Sequence, residues 1–273
     1  MSAAERPARK FPLQLDGLKP PVRKPAPVSH PVLRPQQHLA HAHAEATRRT
    51  APSGMGLDSA DVRLRMAQRL RATGVRNEHV LDAIARVPRH LFVDAALVTQ
   101  AYEDTSLPIG HGQTISKPSV VARMIELLMG GATARATHRL GRVLEVGTGC
   151  GYQAAVLAVL AQQVVSVERL KQLCDKARAL LAPMRPANMR LVYGDGMLGH
   201  APNAPYDSII AAACGSEVPE CWLAQLAVGG RLISPVVGLA KRQTLVVVDR
   251  AEAGYHRTEH EAVQFVPLKS GSI

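Results

Sequence analysis

One stretch, VLEVGTGCGYQAAVLA (residues 143–158), constrains the fold more than any other part of the chain. A short apolar run leads directly into Gly147, Gly149 and Gly151, and an apolar helical segment follows. Glycines at such a point let the backbone turn tightly and approach a ligand without side-chain interference. The spacing is GxGxG with Tyr152 next, whereas a dinucleotide site favours GxGxxG. The stretch therefore predicts a strand, a ligand-binding loop and a helix, and it argues against a pyrophosphate cradle.

The second half of the chain alternates short apolar runs with helical segments. These runs are RVLEVG (142–147), VVSVE (164–168), RLVYGD (190–195), YDSIIAAA (206–213) and GGRLISPVV (229–237). Continuous apolar runs of this length are typical of strands buried on both faces of a mainly parallel sheet. TLVVVDR and AVQFVPL are expected to complete the sheet at one side, in an order that the sequence leaves open. The pattern predicts a doubly wound α/β fold with a seven-stranded, mainly parallel Rossmann-like sheet over residues 142–273.

The segment before this sheet predicts a helical N-terminal element, residues 57–141. SADVRLRMAQRLRATG begins near the capping residues Asp58 or Ser59, NEHVLDAIARV follows, and SVVARMIELLM begins after Pro118. Their apolar residues recur at helical spacing. GATARATHRLG is expected to be a surface connector between the last helix and the sheet.

Residues 1–56 differ in composition from the rest. They contain nine of the 19 prolines and nine Lys or Arg against three acidic residues, without helical or strand periodicity. We predict a disordered basic tail, either with a weakly bound anionic partner or as an inert extension. The histidines in HLAHAHA could take a transition metal, but a solvated tail is the favoured interpretation, and we expect no metal.

Cysteine and hydropathy patterns bear on location. The four cysteines show no CxxC pair, which favours reduced thiols in a cytoplasmic protein. No apolar run has the length of a signal peptide or approaches the roughly 18 residues of a membrane span. We therefore expect no membrane segment, and we also expect a monomer.

Two acidic residues at strand ends indicate the ligand. Glu168 lies 21 residues after Gly147, where a carboxylate can accept both hydroxyls of a ribose. Asp195 ends the next predicted strand and could accept a hydrogen bond from an adenine amine. Either acid alone could be an ordinary turn residue; together they favour an adenosine-containing ligand. Without a phosphate signature, S-adenosylmethionine is the leading cofactor, with Glu145 and Gly196 as further contacts.

A series of motifs resembles the protein-L-isoaspartate O-methyltransferase family of class I methyltransferases. In order they are VPRHLFV, YEDTSLPIGHGQTISKPSVVARMIELL, VLEVGTGCGYQAAVLA, GDGMLG with APYDSIIAAA, LAVGGRLISPV and FVPL. The resemblance covers roughly residues 59–268, and its GQTIS segment is specific. AACGSEVP departs from the family's usual pattern, which leaves open the shape of the pocket edge at Cys214 to Glu217.

The resemblance implies methyl transfer from S-adenosylmethionine to the α-carboxylate of L-isoaspartyl residues in aged proteins and peptides. The ester then collapses to a succinimide that hydrolyses partly to aspartate. The family's active-site serine maps onto Ser116, with Thr114 and Ile115 as further acceptor contacts. The surrounding loop, GHGQTISKPS, offers hydroxyls and amides without a strong base. This suits a carboxylate with a pKa of about 4, which is ionised at neutral pH and needs no base.

Alternatives remain open at this point. Ser116 could merely cap the helix that follows it. The positive charge, 33 Lys or Arg against 22 Asp or Glu, admits a nucleic-acid methyltransferase, although neither an NPPY-type motif nor a Pro-Cys nucleophile is present. A cofactor-binding regulator without catalysis is the third hypothesis.

Overall fold

The computed structural model describes residues 60–184, 186–238 and 241–273. The predicted basic tail and the proposed capping residues Asp58 and Ser59 lie outside these ranges, so the predictions about them are carried forward as predictions.

Helices and a small hairpin precede the main sheet. Helices α1 (Ala60–Ala72), α2 (Glu78–Arg86) and α3 (Pro118–Met129) lie where their apolar periodicity predicts them. Between α2 and α3, two 3₁₀ helices, Arg89–Phe92 and Ala95–Gln100, lead into strands β1 (Leu107–Gly110) and β2 (Gln113–Ile115), which pair antiparallel. The hairpin is anchored against the domain core by Leu107, Ile109 and Ile115, whose side chains are buried in the same apolar cluster as the inner faces of α1 and α3.

The predicted surface connector after α3 contains a helix, so that prediction is wrong in part. Helix α4 (Ala132–Thr137) has the sequence ATARAT, whose alanines favour helix formation. Ala134 is buried, and the Thr133 hydroxyl donates to the carbonyl of Gly229 at 3.1 Å. These contacts with a sheet strand hold a helix that is too short to be stable by itself.

The main sheet has seven strands in the order β5-β4-β3-β6-β7-β8-β9. The strands are β3 (Arg142–Val146), β4 (Gln163–Glu168), β5 (Met189–Tyr193), β6 (Tyr206–Ala211), β7 (Leu226–Val237), β8 (Gln243–Ala251) and β9 (Gly254–Ala262). Strands β3 to β7 are parallel to one another, and β8 and β9 are added antiparallel. Helices α5 (Tyr152–Leu160), α6 (Lys171–Leu181) and α7 (Glu220–Gln225) connect the parallel strands. The predicted α/β architecture is confirmed.

The last strand differs from its prediction. AVQFVPL was expected to form it, but β9 is the polar segment Gly254–Ala262, and AVQFVPL is mostly irregular beyond Ala262. A hairpin partner needs only backbone hydrogen bonds, and β9 lies at the sheet edge, where most of its side chains face solvent. An edge strand can therefore lack the apolar run that marks a buried strand. The other edge strand, β5, is likewise half exposed rather than buried on both faces.

The carboxyl ends of the parallel strands meet at one edge of the sheet. Strand β3 pairs with β4 on one side and with β6 on the other. The chain therefore leaves β3 toward one side of the sheet and later returns to its other side, so the connecting segments separate at the carboxyl end of β3. In open α/β sheets, such a switch point forms the crevice that binds ligands. The glycine loop after β3 lies at this point.

Candidate active site

The glycine loop between β3 and α5 has the backbone that its glycines were expected to allow. Gly147, Gly149 and Gly151 have φ angles of +93°, +56° and +91°, all in the left-handed region that side chains disfavour. The amide of Gly149 donates to the Glu168 carboxylate at 2.8 Å, so the end of β4 is joined directly to the loop. The other Glu168 oxygen accepts from the amide of Leu170 at 2.9 Å.

A cavity of about 240 Å³ lies between this loop, the β1–β2 hairpin and the segment after β9. Most of the predicted site residues line it. They are Thr114, Ile115, Ser116, Gly147, Gly149, Glu168 and Gly196. The predicted acceptor loop and the predicted cofactor loop, separated in sequence by two helices and a strand, therefore share one cavity. Glu145, Gly151 and Asp195 are not among its lining residues.

Gly196 lies where the chain passes close to the end of β3. A side chain there would meet the Val146 Cγ1 atom at 2.6 Å from its Cβ, which is closer than real contacts allow. Glycine therefore lets the segment after β5 approach the cavity closely.

Glu145 lies behind the cavity wall rather than in it. Its carboxyl is fully buried and accepts hydrogen bonds from the Gln153 amide at 3.0 Å and from the Ser166 hydroxyl. Burial raises the pKa of Glu145 to about 8, although both hydrogen bonds oppose the shift. Gln153, which donates to Glu145, lines the cavity, so Glu145 is connected to the cavity wall by that hydrogen bond.

Both carboxylate oxygens of Asp195 accept hydrogen bonds from backbone amides. Asp195 caps the 3₁₀ turn Gly196–Leu198 by accepting from Met197 at 2.9 Å, and it accepts from Gly271 at 2.6 Å. A carboxylate has further lone pairs, so the predicted hydrogen bond from adenine would add to these two.

Ser116 ends the β1–β2 hairpin and does not cap α3. The N-cap position of α3 is Lys117, and the Asp104 carboxylate binds the first turn instead. It accepts from the Ser119 amide and from the Ser119 hydroxyl, each at 2.8 Å. The alternative interpretation of Ser116 as a helix cap therefore has no support in the structure.

Several lining residues were not assigned to the site from the sequence. Tyr152 and Gln153, at the start of α5, are both buried and line the cavity. His111 lies at the exposed hairpin turn with φ of +54° and also lines it. Cys150 is buried against the cavity, where burial raises its pKa to about 11, as expected for a space-filling thiol rather than a nucleophile.

The segment after β9 forms one wall of the cavity, and no sequence signal apart from FVPL pointed to it. The amide of Cys214 donates to the carbonyl of Val266, and the amide of Leu268 donates to the carbonyl of Cys214, both at 2.8 Å. The atypical AACGSEVP segment thus forms a ladder with the segment after β9. Ala212 and Ala213 line the cavity, whereas Cys214 to Glu217 are not among its lining residues, so the effect of this departure on the pocket edge stays a prediction.

Residues 60–184, 186–238 and 241–273 contain no cluster of three or more His, Cys, Asp or Glu side chains suited to a metal ion. No helix within these ranges is long and apolar enough to cross a membrane.

The parallel sheet, the glycine loop and the acid at the end of β4 define a class I, Rossmann-like methyltransferase. The family profile described as Protein-L-isoaspartate(D-aspartate) O-methyltransferase matches residues 62–273. The chain belongs to this family, which uses S-adenosylmethionine as methyl donor.

Relatives and a solved structure agree with this assignment. The chain is 61% identical to a protein-L-isoaspartate O-methyltransferase of Methylibium petroleiphilum over all of both chains. It is 57% identical to one of Leptothrix cholodnii, with 100% of this chain and 98% of the relative covered. A solved structure of a protein-L-isoaspartate O-methyltransferase matches at 29% identity with a TM-score of 0.67, covering 76% of this chain and 66% of that chain.

Proposed function

We propose that this chain transfers a methyl group from S-adenosylmethionine to the α-carboxylate of L-isoaspartyl residues in damaged proteins and so begins their repair through a succinimide. The observation that carries the proposal is the shared cavity, in which Ser116 of the GQTIS loop and Glu168 beside the glycine loop line one space. Family membership supports the same reaction.

The donor set of the cavity fits S-adenosylmethionine. Glu168 offers carboxylate oxygens for the ribose hydroxyls, and the glycine loop leaves space that side chains would fill. Asp195, which lies outside the cavity lining but directly before the lining residue Gly196, is assigned to the adenine amine, and Glu145 is assigned an indirect role through its hydrogen bond with Gln153. When bound, the cofactor supplies an electrophilic methyl group on a sulfonium.

The acceptor side needs orientation rather than a base. An isoaspartyl carboxylate is ionised at neutral pH, since such groups have a pKa of about 4 in water. The Ser116 hydroxyl donates a hydrogen bond that orients it, and Thr114 and Ile115 complete the contact surface. Expulsion of water as the acceptor binds favours a reaction in which opposite charges neutralise one another, and a fixed in-line geometry brings the reacting groups together.

The remaining features of the proposal concern the whole protein. Four free cysteines support a reducing, cytoplasmic location. We propose a monomer, with residues 1–56 providing a weak contact to anionic partners.

A labelled-methyl assay tests the function. The full chain is offered S-adenosylmethionine carrying a labelled methyl group together with an isoaspartyl peptide, its normal aspartyl twin, or RNA. Base-labile label on the isoaspartyl peptide alone is the expected result. Label on RNA would establish the nucleic-acid methyltransferase instead, and cofactor binding without transfer to any acceptor would establish the non-catalytic regulator.

A further inference from the structure

Arg89 places a buried positive charge directly behind the acceptor loop. Its guanidinium is fully buried and donates to three backbone carbonyls: Ala101 at 2.8 Å, Thr105 at 3.4 Å and Ser116 at 2.7 Å. The carbonyls of Ala101 and Thr105 precede β1, and that of Ser116 follows β2. One side chain therefore holds both ends of the hairpin. Ser116 is thus fixed from behind, and its side chain is left available to the cavity.

The same guanidinium contacts the cofactor side of the site. The Arg89 Cζ atom lies 4.7 Å from the centroid of the Tyr152 ring, and Tyr152 begins helix α5 directly after the glycine loop. Cation–π contact of this kind is stronger when it is shielded from water. Arg89 therefore connects the acceptor hairpin to the helix that follows the cofactor loop.

This charge is in no ion pair within the described residues: the Asp104 carboxylate acts on it from beyond ion-pair distance and itself accepts from Ser119. Its hydrogen-bond acceptors are neutral backbone carbonyls, and the neutral Tyr152 hydroxyl interacts with the guanidinium without a hydrogen bond of ordinary geometry. Burying a charge without an opposite charge is unfavourable, and an apolar side chain would pack there at less cost. A carboxylate bound in the cavity would supply the missing negative charge, because Ser116 and Tyr152 both line it.

We propose that Arg89 is a specificity-determining residue of the acceptor site: its uncompensated charge, held behind Ser116 and Tyr152, selects an anionic acceptor over a neutral one. This inference rests on the proposed function. Arg89 does not contact the substrate in this proposal. Its guanidinium acts through its electric field at the cavity wall, where the low polarity of the surroundings strengthens interactions between charges. Because the charges of acceptor and donor cancel as the methyl group moves, Arg89 favours binding of the acceptor more than the chemical step.

Two peptides of nearly the same shape, one with a charged α-carboxylate and one with a neutral group in its place, test whether Arg89 recognises the charge of the acceptor. The isoaspartyl peptide and a neutral twin with an α-carboxamide are titrated into full-length protein saturated with S-adenosylhomocysteine. Wild type is expected to bind the carboxylate twin about tenfold tighter or more, and Arg89→Met is expected to lose most of that preference. A purely structural role would weaken both twins alike; that result, or a preserved preference in Arg89→Met, overturns the proposal.

Arg89→Lys provides the second measurement, which applies even where Arg89→Met does not fold. A protonated lysine carries the same charge, but burial lowers its pKa far below that of arginine, so the preference should be strongest at mildly acidic pH and decline as pH rises, whereas wild type keeps it. The groups acting on Arg89 include Tyr152, Cys150 and Asp104, and burial raises the pKa of Tyr152 to about 12 and that of Cys150 to about 11. Parallel pH profiles for wild type and Arg89→Lys would contradict the proposal. Methyl transfer by wild type, measured in the same preparations, shows separately whether the proposed function holds.

Discussion

The Glu168 carboxylate and the Gly149 amide are joined by a hydrogen bond of 2.8 Å that fixes the end of β4 to the glycine loop. The same carboxylate lines the cavity, so one side chain both shapes the loop and faces the proposed ribose position.

Replacing Glu168 should therefore weaken cofactor binding. Glu168→Ala is expected to cost on the order of 1–3 kcal/mol in affinity for S-adenosylhomocysteine, the range for hydrogen bonds to a charged group. Calorimetric titration measures this change, with the exposed Glu252→Ala as a matched control. Unchanged affinity in a folded Glu168→Ala protein would refute the ribose assignment.

Ser116 and Ser119 lie three residues apart and should respond oppositely to removal of the hydroxyl. Ser116→Ala is expected to lower turnover of an isoaspartyl peptide with little change in cofactor affinity or melting temperature. Ser119→Ala loses a hydrogen bond to Asp104 and should lower stability by about 1 kcal/mol while keeping specific activity. Steady-state kinetics and denaturant titration measure both; full activity in Ser116→Ala would remove that residue from the acceptor site.

Glu145 should make stability depend on pH. Its folded pKa of about 8 lies above the ordinary value of 4.5, so the native state holds a proton that the unfolded state releases. Its stabilising contribution is present below pH 4.5 and is lost as pH rises through about 8. Glu145→Gln keeps an uncharged side chain and should flatten this dependence. Urea titrations from pH 4.5 to pH 8 test the prediction, which fails if both proteins show the same slope.

Asp104 should contribute to the stability of α3 although it is 14 residues from Pro118. Asp104→Ala removes both hydrogen bonds to Ser119 and is expected to cost about 0.5–2 kcal/mol, as for other helix caps. Asp82→Ala breaks an exposed ion pair with Arg86 and should cost about 0–1 kcal/mol. Equal free energies of unfolding for the two variants would argue against the capping role.

Deleting residues 1–56 tests the predicted tail. Because the segment carries nine basic and three acidic residues, its loss should reduce binding to RNA or acidic surfaces, most clearly at low salt. Melting temperature and methyl transfer to a short peptide should remain nearly unchanged. A large loss of either would show that this segment docks on the catalytic domain.

The buried strands and the position of the cofactor loop were predictable because they depend on local patterns, whereas the order of the strands in the sheet came only from the tertiary structure. Continuous apolar runs mark buried strands, and only glycine accommodates the φ values near +90° at Gly147 and Gly151. Ser116 was predictable through the specific GQTIS segment. The polar strand β9 was not, because an edge strand needs backbone pairing rather than an apolar sequence.

By itself, then, the sequence determined the α/β class, the glycine loop, the Glu168 strand end and the family's acceptor loop, each a property of a few neighbouring residues. Tertiary structure alone decided which distant groups meet there. It placed Arg89 behind Ser116, Asp104 at the first turn of α3, and the segment after β9 along the cavity wall. Such contacts depend on how buried polar groups find partners once the chain is packed, and no local spacing records that choice.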